Sequence, residues 1–357
     1  MSKTAKIALI VAGCVILLGV VIGAVAMLFG AGFSSLLPIH IGDNVNPNVS
    51  AVFGSDSSFA TIDRESEAEY ISGEGYSIPA GEVQRLRIRW TAGGVRIVSS
   101  DRTDVYFSEN LSLEEKYALR FSLENGELYI QYTDKNVVNA PEKQLTLELP
   151  ASLSPESVFV DSASAEISVS GVSARYFGIS TASGDVNFSG AWEDMDVDTA
   201  SGTVTLISSG SARSTEIGTA SGAVILGGEL GDTEIDTASG SVSGEGITAG
   251  KFSVDTASGA VTVTGAFREI SAETTSGEVS AACSVCPEAL EVETASGSVT
   301  LALPKNSNFA LEVDTASGSL DSELPLAMQG GRYVCGQGGA LFEVETASGD
   351  IAIKIYR

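Results

Sequence analysis

Hydrophobic and polar residues alternate with a period of two along most of the chain beyond residue 160, and a recurring Thr-Ala-Ser-Gly tetrapeptide punctuates the alternation. The residues two and four positions before each threonine are mostly apolar, as Phe177 and Ile179 are before Thr181. Strict alternation of this kind predicts a β-strand. Copies of the tetrapeptide begin at Thr181, Thr199, Thr219, Thr237, Thr256, Thr274 (as Thr-Thr-Ser-Gly), Thr294, Thr315 and Thr346, and Ser162-Ala163-Ser164 is a degenerate earlier copy.

A second strand is predicted after each tetrapeptide, because apolar residues return five and seven positions after the threonine, as at Val186 and Phe188. We number positions from the threonine of each tetrapeptide as zero. Positions −2 and +5 are an odd number of residues apart, so a continuous strand would point them to opposite faces. Both are apolar, and we therefore expect the chain to bend at Ser-Gly, where glycine accepts the positive φ that such a corner needs. The predicted corner glycines are Gly184, Gly202, Gly222, Gly240, Gly259, Gly277, Gly297, Gly318 and Gly349.

The repeat spacing of 18 to 21 residues predicts how these strands assemble. A unit this short cannot bury its own apolar face and must stack on its neighbours. Equivalent strands then form parallel sheets around a narrow apolar interior, and a looser loop rich in Gly and Ser returns the chain to the next level. The predicted fold is all-β, a single-chain parallel β-solenoid, with an inserted loop in the last gap of 31 residues.

An uncharged run over residues 7–33 predicts one transmembrane helix ahead of the solenoid, because it exceeds the roughly 20 residues needed to cross the hydrocarbon core. Lys3 and Lys6 precede the run, and the first acidic residue is Asp43. By the positive-inside rule, residues 1–6 are cytoplasmic and the C-terminal domain is extracellular. The expected protein is a single-pass protein of the cell membrane, in contact with the lipid bilayer through this helix.

A cleavable signal peptide is the alternative, with Ala24-Val25-Ala26 as its cleavage site. The length of the apolar run and its continuation past that site favour an uncleaved anchor. Gly19 and Gly23 form a small-xxx-small pair through which two such helices could pack as a homodimer.

The rest of the chain before the repeats divides into two parts. Residues 34–81 are rich in Ser, Asn, Asp and Glu without sustained periodicity, which predicts a flexible tether. Alternating strands begin at Glu82, and Asn125-Gly126 is a hairpin signal. We expect residues 82–160 to start the solenoid and cap its first turn, and residues 161–357 to form the repeat β-solenoid.

Charge narrows the classes of partner. The formal net charge of −26 disfavours binding to nucleic acid and to anionic membrane surfaces, which bind Lys and Arg, so no nucleic-acid partner is expected.

The outward positions −3 and −1 of the strand before each tetrapeptide carry an acidic stripe. We interpret it first as a device for solubility, and the alternative is a weak divalent-cation face formed by Asp196, Asp198, Glu234, Asp236, Asp255, Glu273, Glu291, Glu293, Glu312, Asp314, Glu343 and Glu345.

The outward positions of the second strand are small and hydroxyl-rich, as at Thr203, Thr205, Ser241 and Ser243. Solubility again explains such a face, and the alternative is a platform for an envelope polysaccharide or a partner protein. No cofactor is expected. Outside the membrane, Cys283 and Cys286 could close a small disulfide.

Several stretches resemble the putative adhesin family of bacterial envelope proteins. They are Ile88 to Ile97, Asn125-Gly126-Glu127-Leu128, Leu145 to Pro150, the Thr-Ala-Ser-Gly-Asp-Val repeats, and Gly336 to Thr346. The resemblance covers about residues 82 to 357. It implies a bacterial, Gram-positive source and a non-enzymatic surface role, and it brings no catalytic residues.

Catalysis is not expected from the residues themselves. The one histidine, His40, lies in the tether, so the repeats contain no His-based triad or His-ligated zinc site. The leading hypothesis is therefore an adhesin-like or cell-envelope interaction module that meets an unknown envelope polymer or protein. The alternative is the accessory ectodomain of an envelope-stress sensing system, and a polysaccharide-active enzyme is the third choice.

Overall fold

The protein was studied as a computed structural model, which describes residues 75–110, 117–133 and 140–357. The predicted transmembrane span and nearly all of the predicted tether lie outside these residues. Within them, no helix has both the length and the apolar character needed to cross a membrane.

The N-terminal part is built from short strands that alternate inward apolar and outward polar residues, as Leu86, Ile88 and Trp90 do in β2. A 3₁₀ turn, Ala80–Glu82, follows β1. The strands are β1 (Tyr76–Pro79), β2 (Arg85–Trp90), β3 (Gly93–Ser100), β4 (Asp104–Glu109), β5 (Arg120–Glu124), β6 (Glu127–Gln131), β7 (Lys143–Pro150) and β8 (Ser157–Ser162). Because β1 pairs with β4, Tyr76–Pro79 are part of the folded domain, although the sequence analysis placed them in the tether that ends at residue 81.

The repeat region continues the same alternation. Its strands are β9 (Glu166–Thr181), β10 (Val186–Thr199), β11 (Val204–Ser208), β12 (Ser214–Thr219), β13 (Val224–Thr237), β14 (Val242–Thr256), β15 (Val261–Thr274), β16 (Val279–Cys283), β17 (Ala289–Thr294), β18 (Val299–Leu303), β19 (Phe309–Thr315), β20 (Leu320–Ser322), β21 (Ala327–Gln329), β22 (Arg332–Cys335), β23 (Ala340–Thr346) and β24 (Ile351–Ile355).

Equivalent strands stack in register as two parallel ladders that meet at the Ser-Gly corners. The pre-corner ladder holds the strand residues that lead into each threonine, so that Val197 pairs with Ile217. The post-corner ladder begins five residues after each threonine, so that Val186 pairs with Val204. The predicted β-solenoid is therefore formed, and its inward residues make one continuous core along the stack.

The return segments differ from the loops that the sequence predicted. In several levels, one long strand runs from the post-corner ladder of one repeat into the pre-corner ladder of the next, as β10 does, with a register shift between Ser189 and Gly190. The segments remain strand because they carry inward apolar residues of their own, such as Trp192 and Phe267, which are 3% exposed. The strands of this kind are β9, β10, β13, β14 and β15.

At both ends of the stack, the spatial order of the turns differs from their order in the sequence. At the C-terminal end, Thr346 of β23 pairs with Thr294 of β17 on one side and with Thr315 of β19 on the other. The last turn of the chain therefore lies between two earlier turns. The predicted inserted loop is a β21–β22 hairpin, whose second strand covers the outer edge of β19 as an antiparallel partner.

The N-terminal end is arranged in the same way. The first turn, β2–β3, lies between β6–β7 and β8–β9. Antiparallel strands β4 and β5 cover the outer edges of β7 and β6. Each of these antiparallel strands blunts an edge that would otherwise offer unpaired backbone groups to another chain.

Candidate functional site

Each corner is held by a hydrogen bond between the first and last residues of the tetrapeptide. In all nine copies the glycine N–H donates to the threonine Oγ1, with N···O distances of 2.8 to 3.0 Å. The degenerate copy does the same, since the Ala165 N–H donates to Ser162 Oγ at 2.7 Å. The threonine is buried in every copy except the one at Thr315, which is half-buried, so in eight copies this bond satisfies polar groups that water does not reach.

The corner glycines are required for a reason other than the predicted one. None of the nine has a positive φ. Instead, each glycine lies against the corner of the neighbouring level, and a Cβ on Gly202 would overlap the carbonyl oxygen of Gly184. The column continues through Gly277, Gly297, Gly349 and Gly318, which is the spatial order of the levels. Glycine is therefore needed for close backbone approach between levels.

The structure brings all twelve predicted carboxylates to one surface, the outer side of the pre-corner ladder, which we call the acidic face. They form two columns along the stack. Position −3 runs through Asp196, Glu216, Glu234, Ser253, Ser271, Glu291, Glu343 and Glu312, and position −1 runs through Asp198, Gly218, Asp236, Asp255, Glu273, Glu293, Glu345 and Asp314. Ser253 and Ser271 interrupt one column, and Gly218 interrupts the other.

The carboxylates in the N-terminal half of the acidic face are hard to ionise. Burial against neighbouring side chains, followed by repulsion from Glu216 and Asp236, raises the pKa of Asp198 to about 6. Burial raises the pKa of Asp236 to about 6, and Asp255 adds to the shift. Burial and the charge of Asp198 raise the pKa of Asp196 to about 6, although the Tyr176 hydroxyl, which donates to Asp196 Oδ2 at 3.4 Å, opposes the shift.

The two columns do not form a cation cage. Among the residues that the structure describes, no three carboxylate, thiol or imidazole side chains converge closely enough to hold a metal ion. Neighbouring carboxylates in a column are separated by one strand spacing, about 4.8 Å, and stand side by side on a flat sheet. Weak association of cations along the face therefore stays a prediction.

The acidic face ends abruptly at its N-terminal side, where the same ladder carries arginine and aromatic residues. Arg87 lies 4.7 Å from the centre of the Phe159 ring and bonds to Glu127 at 3.2 Å. Phe159 in turn packs on Tyr176, and Gly178 leaves room for both rings. Sequence reasoning missed this junction, although the outward positions of the strands before Thr181 could have shown it.

A buried lysine lies in the N-terminal cap, which is the group of strands β1 to β8 at the start of the stack. Lys143 Nζ donates to Glu109 Oε2 at 2.5 Å and to the carbonyls of Tyr117 and Tyr132, both at 2.7 Å. It also lies 4.6 Å from the centre of the Trp90 ring. Every donor of the ammonium is used inside the protein, so this cluster holds the cap together rather than serving an external ligand.

The predicted disulfide between Cys283 and Cys286 is not formed, and both are free thiols. Cys283 occupies the last inward position of β16 and is fully buried, whereas Cys286 lies beyond the strand end and is half-buried. Burial raises the pKa of the Cys283 thiol to about 12. Cys335 is a third free, buried thiol.

The post-corner ladder carries the predicted hydroxyl-rich surface. Thr205, Ser243 and Thr262 follow one another in register, with Ile225 between the first two. Ile225 and Ile207 are 41% and 42% exposed, so this face is flatter and more apolar than the acidic face.

A groove of about 510 Å³ lies where the post-corner strands bend into the return segments. One end is a bulge in β14, where Glu245 and Gly246 stand opposite a single residue of β15 and Gly246 has a φ of +64°. The other end is Tyr356, whose backbone N–H donates to the Leu303 carbonyl at 2.8 Å. The floor consists of small side chains and backbone. The bulge recurs in the repeat, since a glycine stands nine residues after the first corner residue at Gly171, Gly190, Gly228, Gly246 and Gly265, whereas Tyr356 and Glu245 distinguish this level from the others.

Comparison with known proteins supports the fold rather than a specific activity. No curated protein matches this chain. A crystal structure described as a putative cell adhesion protein from Clostridium sporogenes is 11% identical and covers 79% of this chain and 97% of its own, with a TM-score of 0.22. At that score the likeness carries no argument about either fold or function. The family model described as Toastrack DUF4097 matches residues 83–233 and again 227–354, and the chain therefore belongs to the Toastrack DUF4097 family.

Proposed function

We propose that this protein is an adhesin-like module of the cell envelope, which acts by presenting long repetitive surfaces rather than by catalysis. The observation that carries the proposal is the unbroken register of the two outer faces. From Asp196 to Asp314 the outward positions recur level after level, and no level of the described chain gathers three metal-binding side chains. Many weak, equivalent contacts along such a face add up without any single deep site.

The envelope location rests on the sequence. The uncharged run over residues 7–33, preceded by Lys3 and Lys6, supports a membrane anchor with the solenoid outside the cell.

The topology is tested with protease added to intact protoplasts that express the full chain. The proposal requires digestion of the region after residue 80, while a cytoplasmic reporter protein stays intact. Protection of the solenoid until the membrane is permeabilised would contradict an extracellular module.

The binding role is tested by sedimentation of the full chain with isolated cell walls. Two lysine substitutions distinguish the faces, since Asp255→Lys alters the acidic face and Thr262→Lys alters the post-corner face on the other side of the same corner. We expect one of the two to change wall binding several-fold while the other leaves it near the unmodified value. If the unmodified chain does not sediment with walls, the envelope-binding role is wrong.

A further inference from the structure

We infer that the groove between the β14 bulge and Tyr356 is a binding site for a neutral saccharide of the envelope. The inference rests on the proposed function and names a ligand class for it. It depends on three features of the groove, namely an aromatic wall, a set of hydroxyls and a carboxylate.

The aromatic wall is the side chain of Tyr356, which follows β24 and is half-buried. Its backbone N–H donates to the Leu303 carbonyl at the end of β18, and the residue lines the groove together with Ser284, which follows β16. An aromatic ring offers a flat apolar surface with a polar tip, and the C–H face of a pyranose ring packs on such a surface.

The opposite end supplies the polar groups. Glu245 stands on the bulge and is exposed, and its carboxylate has no ion pair within the described residues. Thr248 and Thr264 line the same groove, and Ser284 donates to the Gly265 carbonyl at 3.0 Å, which leaves its oxygen free to accept. Carboxylate and hydroxyl groups bind the vicinal hydroxyls of a sugar through strong hydrogen bonds.

The bulge is what separates these groups from the flat face. The register of β14 against β15 shifts between Gly244 and Ile247, so two residues oppose one and the strand rises out of the sheet. β-bulges commonly re-aim side chains at sites. Directly below it, Gly265 has no side chain, and a Cβ there would overlap the Ile247 carbonyl. The floor is thereby kept shallow and open to a ligand that lies along the stack.

Size and charge restrict the ligand. The groove volume of about 510 Å³ lies within the range of about 300 to 1,000 Å³ that is typical of small-molecule sites. Between β14 and β24 the groove crosses four strand spacings of about 4.8 Å, or about 19 Å between backbones, part of which the Tyr356 ring covers. This length suits a disaccharide unit. The net charge of −26 and the nearby Glu245 disfavour acidic sugars, so the ligand is neutral.

The test is titration of the full chain, in a detergent without a sugar headgroup, with cellobiose, chitobiose and maltose. Saturation-transfer NMR and calorimetry report binding. We expect saturable binding of at least one disaccharide, a loss of tenfold or more in affinity in Tyr356→Ala, and affinity within threefold of the unmodified chain in Tyr356→Phe, which keeps the ring.

Glu245→Gln should weaken binding by threefold or more, whereas Glu278→Gln, an exposed carboxylate outside the groove, should leave it unchanged. Thermal melting of each variant shows that the fold is retained. The inference is overturned if the unmodified chain binds none of the three sugars, or if Tyr356→Ala binds as well as the unmodified chain. If wall sedimentation persists in that case, only the saccharide site is wrong, and if it is also absent, the proposed function fails with it.

Discussion

A side chain on Gly240 would overlap the carbonyl oxygen of Gly222, one level away in the stack. The same relationship links every corner glycine to the corner of an adjacent level. Each level therefore needs a glycine at its corner. The backbones of adjacent levels are in contact there, and this contact sets the spacing between the levels.

Gly240→Ala should destabilise the protein by about 1 to 3 kcal/mol or more, because the added Cβ forces two levels apart in a packed stack. Gly81→Ala is the matched control, since a Cβ at Gly81 meets nothing within 4 Å and its φ is not positive. Thermal and urea melts of the two variants measure the difference. Equal stability of the two variants would show that the corners can separate without cost.

Thr237→Val should cost about 1 to 3 kcal/mol, because it leaves the buried Gly240 N–H without its 2.8 Å acceptor. The side-chain volume hardly changes, so the loss reports the hydrogen bond. Thr262→Val makes the same replacement at an exposed position of β15 and should be nearly neutral. A neutral result at Thr237 would mean that the corner does not depend on this bond.

The strands on either side of each corner and the stacked all-β architecture follow from periodicity that the sequence displays openly, whereas the return segments were predicted as loops and are strand in several levels. The error about the corner glycines arose because local alternation shows that the chain bends but says nothing about the level above or below. Gly184 was expected to supply a left-handed φ, and its role is to leave space beside Ala165. Contacts between levels are non-local, and a single repeat does not encode them visibly.

The spatial order of the levels could not be predicted from the sequence either. The turn ending at Gly349 lies between those of Gly297 and Gly318, yet all three carry the same tetrapeptide and would stack in any order by local pattern alone. The β21–β22 hairpin pairs with the outer edge of β19, and the chain then returns as β23 between β17 and β19. Tyr356 was overlooked for a similar reason: its position in the groove depends on which level β24 joins.

Mild acid should stabilise this protein. Asp198 and Asp236 have folded pKa values of about 6, above the ordinary value of 3.8, so the folded state binds more protons than the unfolded state between these limits. Stability therefore rises as pH falls through this window. Asp104 and Asp350 have lowered pKa values and act in the opposite direction, but only around and below their ordinary pKa of 3.8.

We expect the melting temperature to rise between about pH 7.5 and about pH 5, and the rise to be smaller in Asp236→Asn, which is also more stable than the unmodified chain at the higher pH. Asp321→Asn, on the post-corner ladder, provides the control and should keep the full rise. A melting temperature that falls over this range would contradict the raised pKa values of the acidic face.

Divalent cations should stabilise the solenoid only by screening. The two acidic columns are interrupted by Gly218, Ser253 and Ser271, and no three acids of the described chain converge on one point. Millimolar Ca²⁺ should then raise the melting temperature no more than NaCl of matched ionic strength does, since both act by weakening repulsion between the columns. A specific site would add a further stabilisation free energy that grows as the logarithm of the Ca²⁺ concentration.

Comparing the unmodified chain with Asp236→Asn separates screening from specific binding. Removal of one carboxylate reduces a screening effect slightly, whereas it abolishes a site that uses that carboxylate. A rise of several degrees with Ca²⁺ beyond the NaCl control, lost in Asp236→Asn, would make the acidic face a cation-dependent binding surface.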